Sequence, residues 1–239
     1  MPGPVISFTF DDVPRSAVSV GGAILGKHGV RGTYYVCMGL AHSTNAAGEH
    51  FGPDDLRWLA GNGHEIGCHT YGHISFKSHR AQDIAADLDR NQLALQAVLP
   101  DFTPRQFALP YGDVSLEGWG LAGRRFETCR GIAGGINSGR VRLHMLQANS
   151  LYQTIPLAKN LRLIDAALEN RGWLIFYTHD IATAHSSFGC TPPYFEAIVS
   201  KAAGCGAEVL TVGEAAKRFR NSEASIATPA PMIGSQPDL

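Results

Sequence analysis

Short apolar segments alternate with amphipathic ones along most of this 239-residue chain. The first apolar segment, Val5 to Phe10, is followed by a helical pattern from Pro14 to His28, and β-forming residues return from Arg31 to Met38. Strands that alternate with helices form a largely parallel sheet, open or closed into a barrel, because each helix returns the chain to the start of the next strand. We therefore expect one α/β domain over residues 1–220.

The same alternation predicts the remaining elements. Further strands are predicted at His64 to Cys68, Arg105 to Leu109, Phe126 to Arg130, Arg140 to Leu146, Trp173 to Tyr177 and Ala207 to Leu210. Further helices are predicted from Pro53 to a turn near Gly61-Asn62-Gly63, and at Arg80 to Leu99, Pro156 to Arg171, Pro193 to Ala203 and Gly213 to Arg220. Residues 221–239 are dominated by Ser, Ala and Pro and have little to bury, so we expect a disordered tail there.

Composition excludes several classes of protein. A formal net charge of −1 and scattered basic residues give no stripe suited to a phosphate backbone, so no nucleic-acid partner is expected. No apolar run approaches the roughly 20 residues that cross a bilayer. The five cysteines form no CxxC pair, which favours neither a disulfide scaffold nor a thiolate zinc site. The cysteines and an N-terminus without a signal-peptide pattern lead us to expect a cytoplasmic protein, whose oligomeric state the sequence leaves open.

Polar residues follow four of the predicted strands at the point where each strand ends. Asp11 and Asp12 end the first strand, His69 and His73 follow the third, and Tyr111 and His179 follow two later ones. The carboxyl ends of parallel strands lie at one edge of a sheet or barrel, where active sites of such folds are found. We expect these side chains to meet in space.

Two imidazoles at positions i and i+4 lie on one side of a helical turn, so His69 and His73 can bind one divalent ion. Asp12 would complete a set of two imidazoles and one carboxylate, which leaves positions for water and substrate. Asp11 is then free to accept a proton from that water, although spacing alone does not divide the roles of the two carboxylates. His179 is a candidate acid for a leaving nitrogen, and a backbone N–H beside Tyr111 is a candidate donor to an oxyanion.

Each of these residues also has a purely structural interpretation. An HxxxH pair is often a surface or core pair, and adjacent aspartates often cap a helix N-terminus, here the one near Pro14. His179 is also consistent with a core histidine that ends a strand, and Tyr111 with a turn residue between Pro110 and Gly112.

At these positions the sequence resembles the NodB-type polysaccharide deacetylases, which form carbohydrate esterase family 4. Thr9-Phe10-Asp11-Asp12 matches the family motif that carries the catalytic base and then a metal-binding Asp. His69-Thr70-Tyr71-Gly72-His73 matches its pair of metal ligands, Pro110-Tyr111-Gly112 its oxyanion segment, and His179 its catalytic acid. The resemblance covers about residues 5–220 and implies a distorted (β/α) barrel.

The resemblance further implies a metal-dependent hydrolase that removes an N-acetyl group, or less often an O-acetyl group, from an amino sugar or glycan intermediate. The implied catalytic residues are Asp11, His179 and Tyr111, and the implied metal ligands are Asp12, His69 and His73. Zinc is the first expectation for the ion, with cobalt, nickel and manganese as alternatives. Two other functions stay open: hydrolysis of C–N bonds in non-sugar amides, and metal-containing sugar binding with lost or altered catalysis.

This chain departs from the family pattern in three places, the first being Val13, which replaces the glycine that usually follows the Asp pair. The family's third motif opens with an Arg that steadies the catalytic Asp, and Ala108 occupies that position here. Arg105 and Arg15 are the candidate replacements nearest in sequence. The family's motif with an Asp and a Trp has no counterpart, because the corresponding region offers only Asn149, which leaves the partner of His179 open.

Overall fold

The computed structural model describes residues 3–227, with side chains described as far as Arg220. Within that part, eight strands form one sheet and two form a small hairpin. The strands are β1 (Val5–Asp11), β2 (Thr33–Val36), β3 (Thr44–Asn45), β4 (Gly48–Glu49), β5 (Glu65–Cys68), β6 (Gln106–Ala108), β7 (Thr128–Arg130), β8 (Asn149–Ser150), β9 (Trp173–Thr178) and β10 (Glu208–Val209). The helices are α1 (Gly22–Lys27, preceded by a π-helical turn at Ala17–Gly21), α2 (Pro53–Gly61), α3 (Ala81–Val98), α4 (Leu116–Arg125), α5 (Leu157–Glu169), α6 (Pro192–Gly204) and α7 (Val212–Ala227).

The main sheet is parallel throughout and runs β7-β6-β5-β2-β1-β9-β8, with β10 paired to the start of β1. A parallel bridge between Arg130 and Leu146, just before β8, connects the two ends of this order. The curled sheet surrounded by helices is the distorted (β/α) barrel that the resemblance implied, in a single domain.

The centre of the sheet is buried on both faces, as parallel strands between helices are. Every residue of β1 and β9 is buried. On one face Phe8 packs edge-on against Phe195 of α6, with ring centroids 5.7 Å apart. On the other face Trp173 stacks on Phe219 of α7 at 5.6 Å. This two-sided packing fixes the strand ends on which the candidate site depends.

Helix α4 was not predicted, because its sequence LEGWGLAGRR contains three glycines that disfavour an isolated helix. Tertiary packing explains why it forms. A Cβ on Gly118 would lie 3.0 Å from Phe76, so glycine lets this helix approach the core closely. The Ser115 hydroxyl accepts a hydrogen bond from the Gly118 N–H and caps the first turn.

The strand predicted at Arg140 to Leu146 is wrong. Leu143–Met145 form one turn of 3₁₀ helix, and no described strand pairs with residues 140–145. The alternating pattern arises because Val141 and Leu143 pack on the apolar cluster under α7. The alternation of apolar and polar residues in this segment therefore indicates burial of one side and not pairing as a strand.

At the other end of the chain, α7 continues to Ala227, seven residues into the segment for which a disordered tail is predicted. Residues 228–239 of that segment lie outside the described residues. None of the described helices is both long and apolar enough to cross a bilayer.

Candidate functional site

The structure brings the six predicted site residues together around one cavity at the carboxyl ends of the strands. The cavity has a volume of about 490 Å³. Its lining includes Asp11, Asp12, His69, His73, Tyr111 and His179. Residues separated by up to 168 positions in sequence therefore share one pocket because each follows a strand of the same parallel sheet.

Three of these residues form a cluster with the chemistry of a metal site. One ligand atom from each of Asp12, His69 and His73 lies within 4.8 Å of the others. The Oδ1 atom of Asp12 is 3.7 Å from Nε2 of His69 and 3.5 Å from Nε2 of His73. That oxygen is buried and has no hydrogen-bond partner among the described residues. A buried, unpaired carboxylate oxygen facing two imidazoles fits a divalent cation.

The protonation states of the three residues agree with this fit. The Nδ1 atom of His69 lies 2.9 Å from the Ala108 carbonyl oxygen, which fixes the proton on Nδ1 and leaves the lone pair on Nε2. Burial lowers the pKa of His69 to about 3 and also lowers the pKa of His73, so both rings are neutral. Burial, only partly offset by His179, raises the pKa of Asp12 to about 6. A carboxylate in this setting is stabilised when a cation binds beside it.

The helical turn assumed for the histidine pair is wrong. Thr70 and His73 have positive φ angles of 66° and 51°, so the segment is an irregular turn. Its shape is held from α3, where the Asp87 carboxylate accepts hydrogen bonds from the N–H groups of Tyr71, at 2.6 Å, and Gly72, at 3.1 Å. The two imidazoles meet because of this turn and not because of helical periodicity.

Left-handed backbone is concentrated at the site. Eight non-glycine residues in the described part have positive φ, and five of them are Asp12, Val13, Thr70, His73 and Tyr111. Such conformations are uncommon for residues with a side chain, and each costs on the order of 1–3 kcal/mol. Strain of this kind persists where the surrounding structure fixes it, and it often accompanies function.

Asp11 is held by an arginine that the sequence did not identify. The guanidinium of Arg130, at the end of β7, donates a hydrogen bond to Oδ1 of Asp11, and both side chains are buried. Burial alone would raise the pKa of Asp11, but the Arg130 guanidinium and the neighbouring imidazoles hold it below its usual value. Asp11 is therefore a carboxylate at neutral pH.

The position of Arg130 explains the departure at Ala108. Ala108 on β6 and Arg130 on β7 are paired residues in the parallel register. Neither proposed replacement reaches Asp11, because Arg105 pairs with Glu127 at 2.7 Å and Arg15 lies beside Glu49 at 3.4 Å. The guanidinium that holds Asp11 therefore comes from β7 and not from β6. In the sequence, Arg130 was visible only as a basic residue at the end of a predicted strand.

His179 lines the same cavity, beside Asp12. Its Nε2 atom is 3.9 Å from Oδ2 of Asp12. Its Nδ1 atom is buried and has no hydrogen-bond partner among the described residues. The rings of Phe188 and Tyr152 lie beside it, with centroids 5.5 Å and 6.2 Å away. Asn149 does not serve as its partner in place of an aspartate, because its side chain bonds the backbone of Gly135.

Tyr111 forms the rim of the cavity beside His73. Its ring centroid is 4.4 Å from that of His73, and 61% of the residue is exposed. A positive φ of 60° at Tyr111 lies in a 3₁₀ turn, so the local backbone is fixed in an uncommon conformation. The tyrosine ring thus lies beside His73, one of the three residues of the cluster.

Two loops complete the cavity wall. Residues 45–47, in the β3–β4 hairpin, form one side, and Ser186, Ser187 and Phe188 form the other. The second loop is organised by Asp180, whose carboxylate accepts hydrogen bonds from the backbone N–H and the hydroxyl of Ser186 at 2.7 and 2.6 Å. Asp180 directly follows His179, so this loop is anchored next to the residue that carries the imidazole.

Comparison with known proteins supports the same fold. The sequence profile of a family described as polysaccharide deacetylase matches residues 1–122. A provisionally assigned polysaccharide deacetylase from Mycobacterium smegmatis superposes with a TM-score of 0.69 at 18% identity, covering 100% of this chain and 96% of that one. A search of curated proteins found no matching relative.

Two further solved structures are similar. A peptidoglycan deacetylase from Bacillus subtilis gives a TM-score of 0.58 at 18% identity, with coverage of 94% and 95%. A family 4 acetyl xylan esterase from Clostridium thermocellum, solved with a cobalt ion, gives 0.61 at 19% identity and 92% of both chains. Identities this low show a common fold.

Proposed function

This chain belongs to the polysaccharide deacetylase family, and from that premise we propose that it is a metal-dependent hydrolase that removes an N-acetyl group from an amino sugar or glycan intermediate. The observation that carries the proposal is the cluster of Asp12, His69 and His73 directly beside the buried pair of Asp11 and Arg130. A metal-ligand set next to a fixed, ionised carboxylate is what hydrolysis of an amide requires.

Asp12, His69 and His73 would hold one divalent ion through Oδ1 and the two Nε2 atoms. When bound, such an ion lowers the pKa of a water molecule and polarises a carbonyl. Zinc, cobalt, nickel and manganese all suit a site of one carboxylate and two imidazoles. The Ala108 carbonyl fixes the ring orientation of His69, and Asp87 holds the backbone of the turn that carries His73.

Asp11 is the base of the proposed reaction and accepts the proton of the attacking water. Arg130 keeps this carboxylate ionised and restricts its orientation, since the guanidinium occupies Oδ1. Oδ2 of Asp11 has no such bond to Arg130 and is the oxygen assigned to proton transfer. Positioned proton transfer of this kind contributes about 10²- to 10⁴-fold to rate.

His179 is the proposed acid that delivers a proton to the leaving nitrogen. Its Nε2 faces Asp12 at 3.9 Å, and the aromatic rings of Tyr152 and Phe188 limit the rotation of its ring. The backbone N–H of Tyr111, at the rim beside His73, is the proposed donor to the developing oxyanion.

A second function is favoured by one observation. The Nδ1 atom of His179 has no partner in the described part of the chain, so no carboxylate there orients the proposed acid. A metal-containing sugar-binding protein with lost or altered catalysis would tolerate this arrangement. It predicts saturable binding of N-acetylated saccharides with no release of acetate.

The first test compares metal content and acetate release in the wild type, Asp12→Asn, Asp11→Asn and Asp54→Asn. Asp54 is a matched control, since its exposed carboxylate lies on α2 and pairs with Arg57. The proposal expects about one equivalent of metal in the wild type, Asp11→Asn and Asp54→Asn, and little in Asp12→Asn. It expects Asp11→Asn to lose about 10²-fold or more in kcat for N-acetylhexosamine substrates.

Wild-type protein that binds metal yet releases no acetate from any N-acetylated saccharide would replace the proposal with the binding function. Metal content unchanged in Asp12→Asn, His69→Ala and His73→Ala would overturn the assigned ligands. The cytoplasmic location stays a prediction, which fractionation of the expressing cells would check.

A further inference from the structure

A second concavity opens beside the reaction cavity at the same end of the barrel. It has a volume of about 570 Å³, within the range of small-molecule pockets. It lies between the start of α4 and the 143–147 segment, next to the residues that follow β7. Its lining is mainly aliphatic and aromatic and includes Val114, Leu116, Trp119, Ile132, Met145 and Leu146. We call it the apolar groove.

The apolar side chains of the groove are exposed to an unusual degree. Leu116 is 85% exposed and Met145 51%, and Ile132, Val114 and Trp119 are each about two-fifths exposed. A contiguous patch of this kind on a soluble domain usually marks a binding surface. The residues belong to three separate segments, so the patch is a product of the fold and not of one hydrophobic stretch.

Each polar side chain of the groove, Gln147 included, makes at least one hydrogen bond within the protein. The Ser115 hydroxyl accepts from the Gly118 N–H at 3.1 Å, and the Trp119 indole N–H donates to the His144 carbonyl at 2.9 Å. Nε2 of His144 lies 3.1 Å from the Phe126 carbonyl oxygen. A row of sugar hydroxyls would therefore find few free partners here, whereas an alkyl chain needs none.

The groove adjoins the reaction cavity. Leu109 and Ile132 line both. Ile132 packs directly onto the backbone of Gly112, where an added Cβ would lie 2.3 Å from Cγ1 of Ile132, and Gly112 follows Tyr111 at the rim of the cavity. A molecule bound with its acetyl group in the cavity can thus extend over Ile132 into the groove.

We propose that the apolar groove binds the alkyl or acyl chain of an amphipathic substrate, so that the enzyme acts on an acetylated amino sugar linked to an apolar chain. This proposal rests on the proposed function and names its substrate class. Each methylene buried in the groove is worth roughly a threefold to fourfold gain in affinity. This gain should lower KM and leave kcat unchanged, because the alkyl chain of the substrate does not contact the reacting groups.

The test uses N-acetylglucosaminides with methyl, butyl, hexyl and octyl aglycones, each below its micelle concentration, together with N-acetylated oligosaccharides. We expect KM to fall about threefold per methylene until the groove is filled, with kcat nearly constant. Octyl and methyl substrates with the same kcat/KM, or a clear preference for the oligosaccharides, would overturn the proposal.

Three variants locate the effect. Leu116→Ser and Met145→Ser remove apolar surface from the groove, and both residues are exposed enough for the fold to tolerate the change. Leu93→Ser, at a 68% exposed position on α3, is the matched control. The two groove variants should raise KM for the octyl substrate about threefold to tenfold and leave KM for the methyl substrate unchanged. Equal effects on the two substrates, or an equal effect of Leu93→Ser, would contradict the groove assignment.

Failure of the proposed function is separable from failure of the groove. If no substrate releases acetate, direct binding of octyl and methyl glycosides, measured by isothermal titration calorimetry, still decides whether the groove binds the chain. Binding of the octyl glycoside that is lost in Leu116→Ser would support the assignment of the groove to the alkyl chain, even if the protein has no catalytic activity. Sedimentation that shows a dimer in the wild type and a monomer in Leu116→Ser would assign the groove to a second copy of the chain and overturn the proposal.

Discussion

Two partly or fully buried carboxylates at opposite ends of the barrel have contrasting surroundings. At the amino end, Glu65 accepts hydrogen bonds from the Thr33 hydroxyl at 2.9 Å and from the Gly213 N–H at 3.0 Å. The Thr33 hydroxyl in turn accepts from the Val212 N–H, so the pair satisfies the first turn of α7. At the carboxyl end, Asp12 has a left-handed backbone and a buried oxygen without a partner in the described residues.

The difference separates an acid whose oxygens bond within the fold from one that keeps an unpaired oxygen in a cavity. Glu65 joins β2, β5 and α7, and its oxygens are used by the fold. Asp12 keeps one oxygen available for a ligand from solution, at a cost in backbone strain and desolvation. In barrels of this type, residues at the amino ends of the strands usually contribute to stability, and catalytic residues lie at the carboxyl ends.

The largest expected effect follows from removal of the Asp12 carboxylate. Asp12→Asn should bind no metal, and its rate of acetate release should fall by at least about 10²-fold. This effect is larger than the one usually caused by removing a residue that only hydrogen-bonds a metal ligand. Measured in chelator, the free energy of unfolding of Asp12→Asn should equal or exceed that of the wild type, because an unpaired buried charge is gone. Elemental analysis, acetate release and urea denaturation test the three parts, and a large loss of stability in chelator would contradict the contrast with Glu65.

The next effect concerns the buried pair of Asp11 and Arg130. Arg130→Met leaves Asp11 buried without its counter-charge and should cost about 3–5 kcal/mol of unfolding free energy. It also removes the contacts of the guanidinium with the rings of Tyr35 and Tyr177, 5.0 and 5.1 Å away. Urea denaturation of purified protein measures the loss.

Arg105→Met is the matched control, since the Arg105 side chain is largely exposed and its pair with Glu127 should contribute less than about 1 kcal/mol. The exchange Ala108→Arg with Arg130→Ala restores a guanidinium at the register partner on β6. It should recover part of the stability and of the acetate release. Equal stability of the wild type and Arg130→Met would show that the pair does not hold Asp11.

A smaller effect is expected at the amino end. Glu65→Ala frees the Gly213 N–H and the Thr33 hydroxyl, and an unsatisfied buried donor costs about 1–3 kcal/mol. The change should lower the free energy of unfolding by about 2–3 kcal/mol while metal content and kcat of the folded protein stay unchanged. Thermal denaturation and elemental analysis test this, and a loss of metal would show that the two ends are coupled.

The smallest effect is a pH dependence from His64, which precedes β5. Burial lowers the pKa of His64 to about 4, and its Nδ1 accepts a hydrogen bond from the Gly32 N–H at 3.1 Å. Between pH 6.5 and 4 the unfolded chain therefore binds more protons than the folded one. The contribution of neutral His64 to the free energy of unfolding is fully present above pH 6.5 and is lost as the pH falls towards 4.

His64→Asn keeps an acceptor for Gly32 without the titration. The wild type should lose about 1–2 kcal/mol relative to this variant between pH 7 and pH 5. Urea denaturation at both values measures the difference. Parallel pH profiles for the two proteins would show that His64 does not titrate differently on folding.

Much of this molecule was predictable from local pattern. The apolar strand Trp173–Thr178, the helix Pro53–Gly61 and the long helix Ala81–Val98 agree closely with their predictions, because continuous apolar runs, an N-terminal proline and a spacing of three to four residues are local signals. Helix Leu116–Arg125 escaped prediction, because its glycines oppose a helix that only packing against the core stabilises.

That Asp11, Asp12, His69, His73 and His179 lie together could be predicted from the sequence pattern, because each lies at or just after a strand end and parallel strands end at one edge of a sheet. The contacts that support them could not be predicted in this way. The irregular turn between the histidines depends on Asp87 from α3, and the counter-charge of Asp11 comes from Arg130 on a neighbouring strand. Sheet register pairs Ala108 with Arg130, and register depends on contacts between distant segments that no local pattern records.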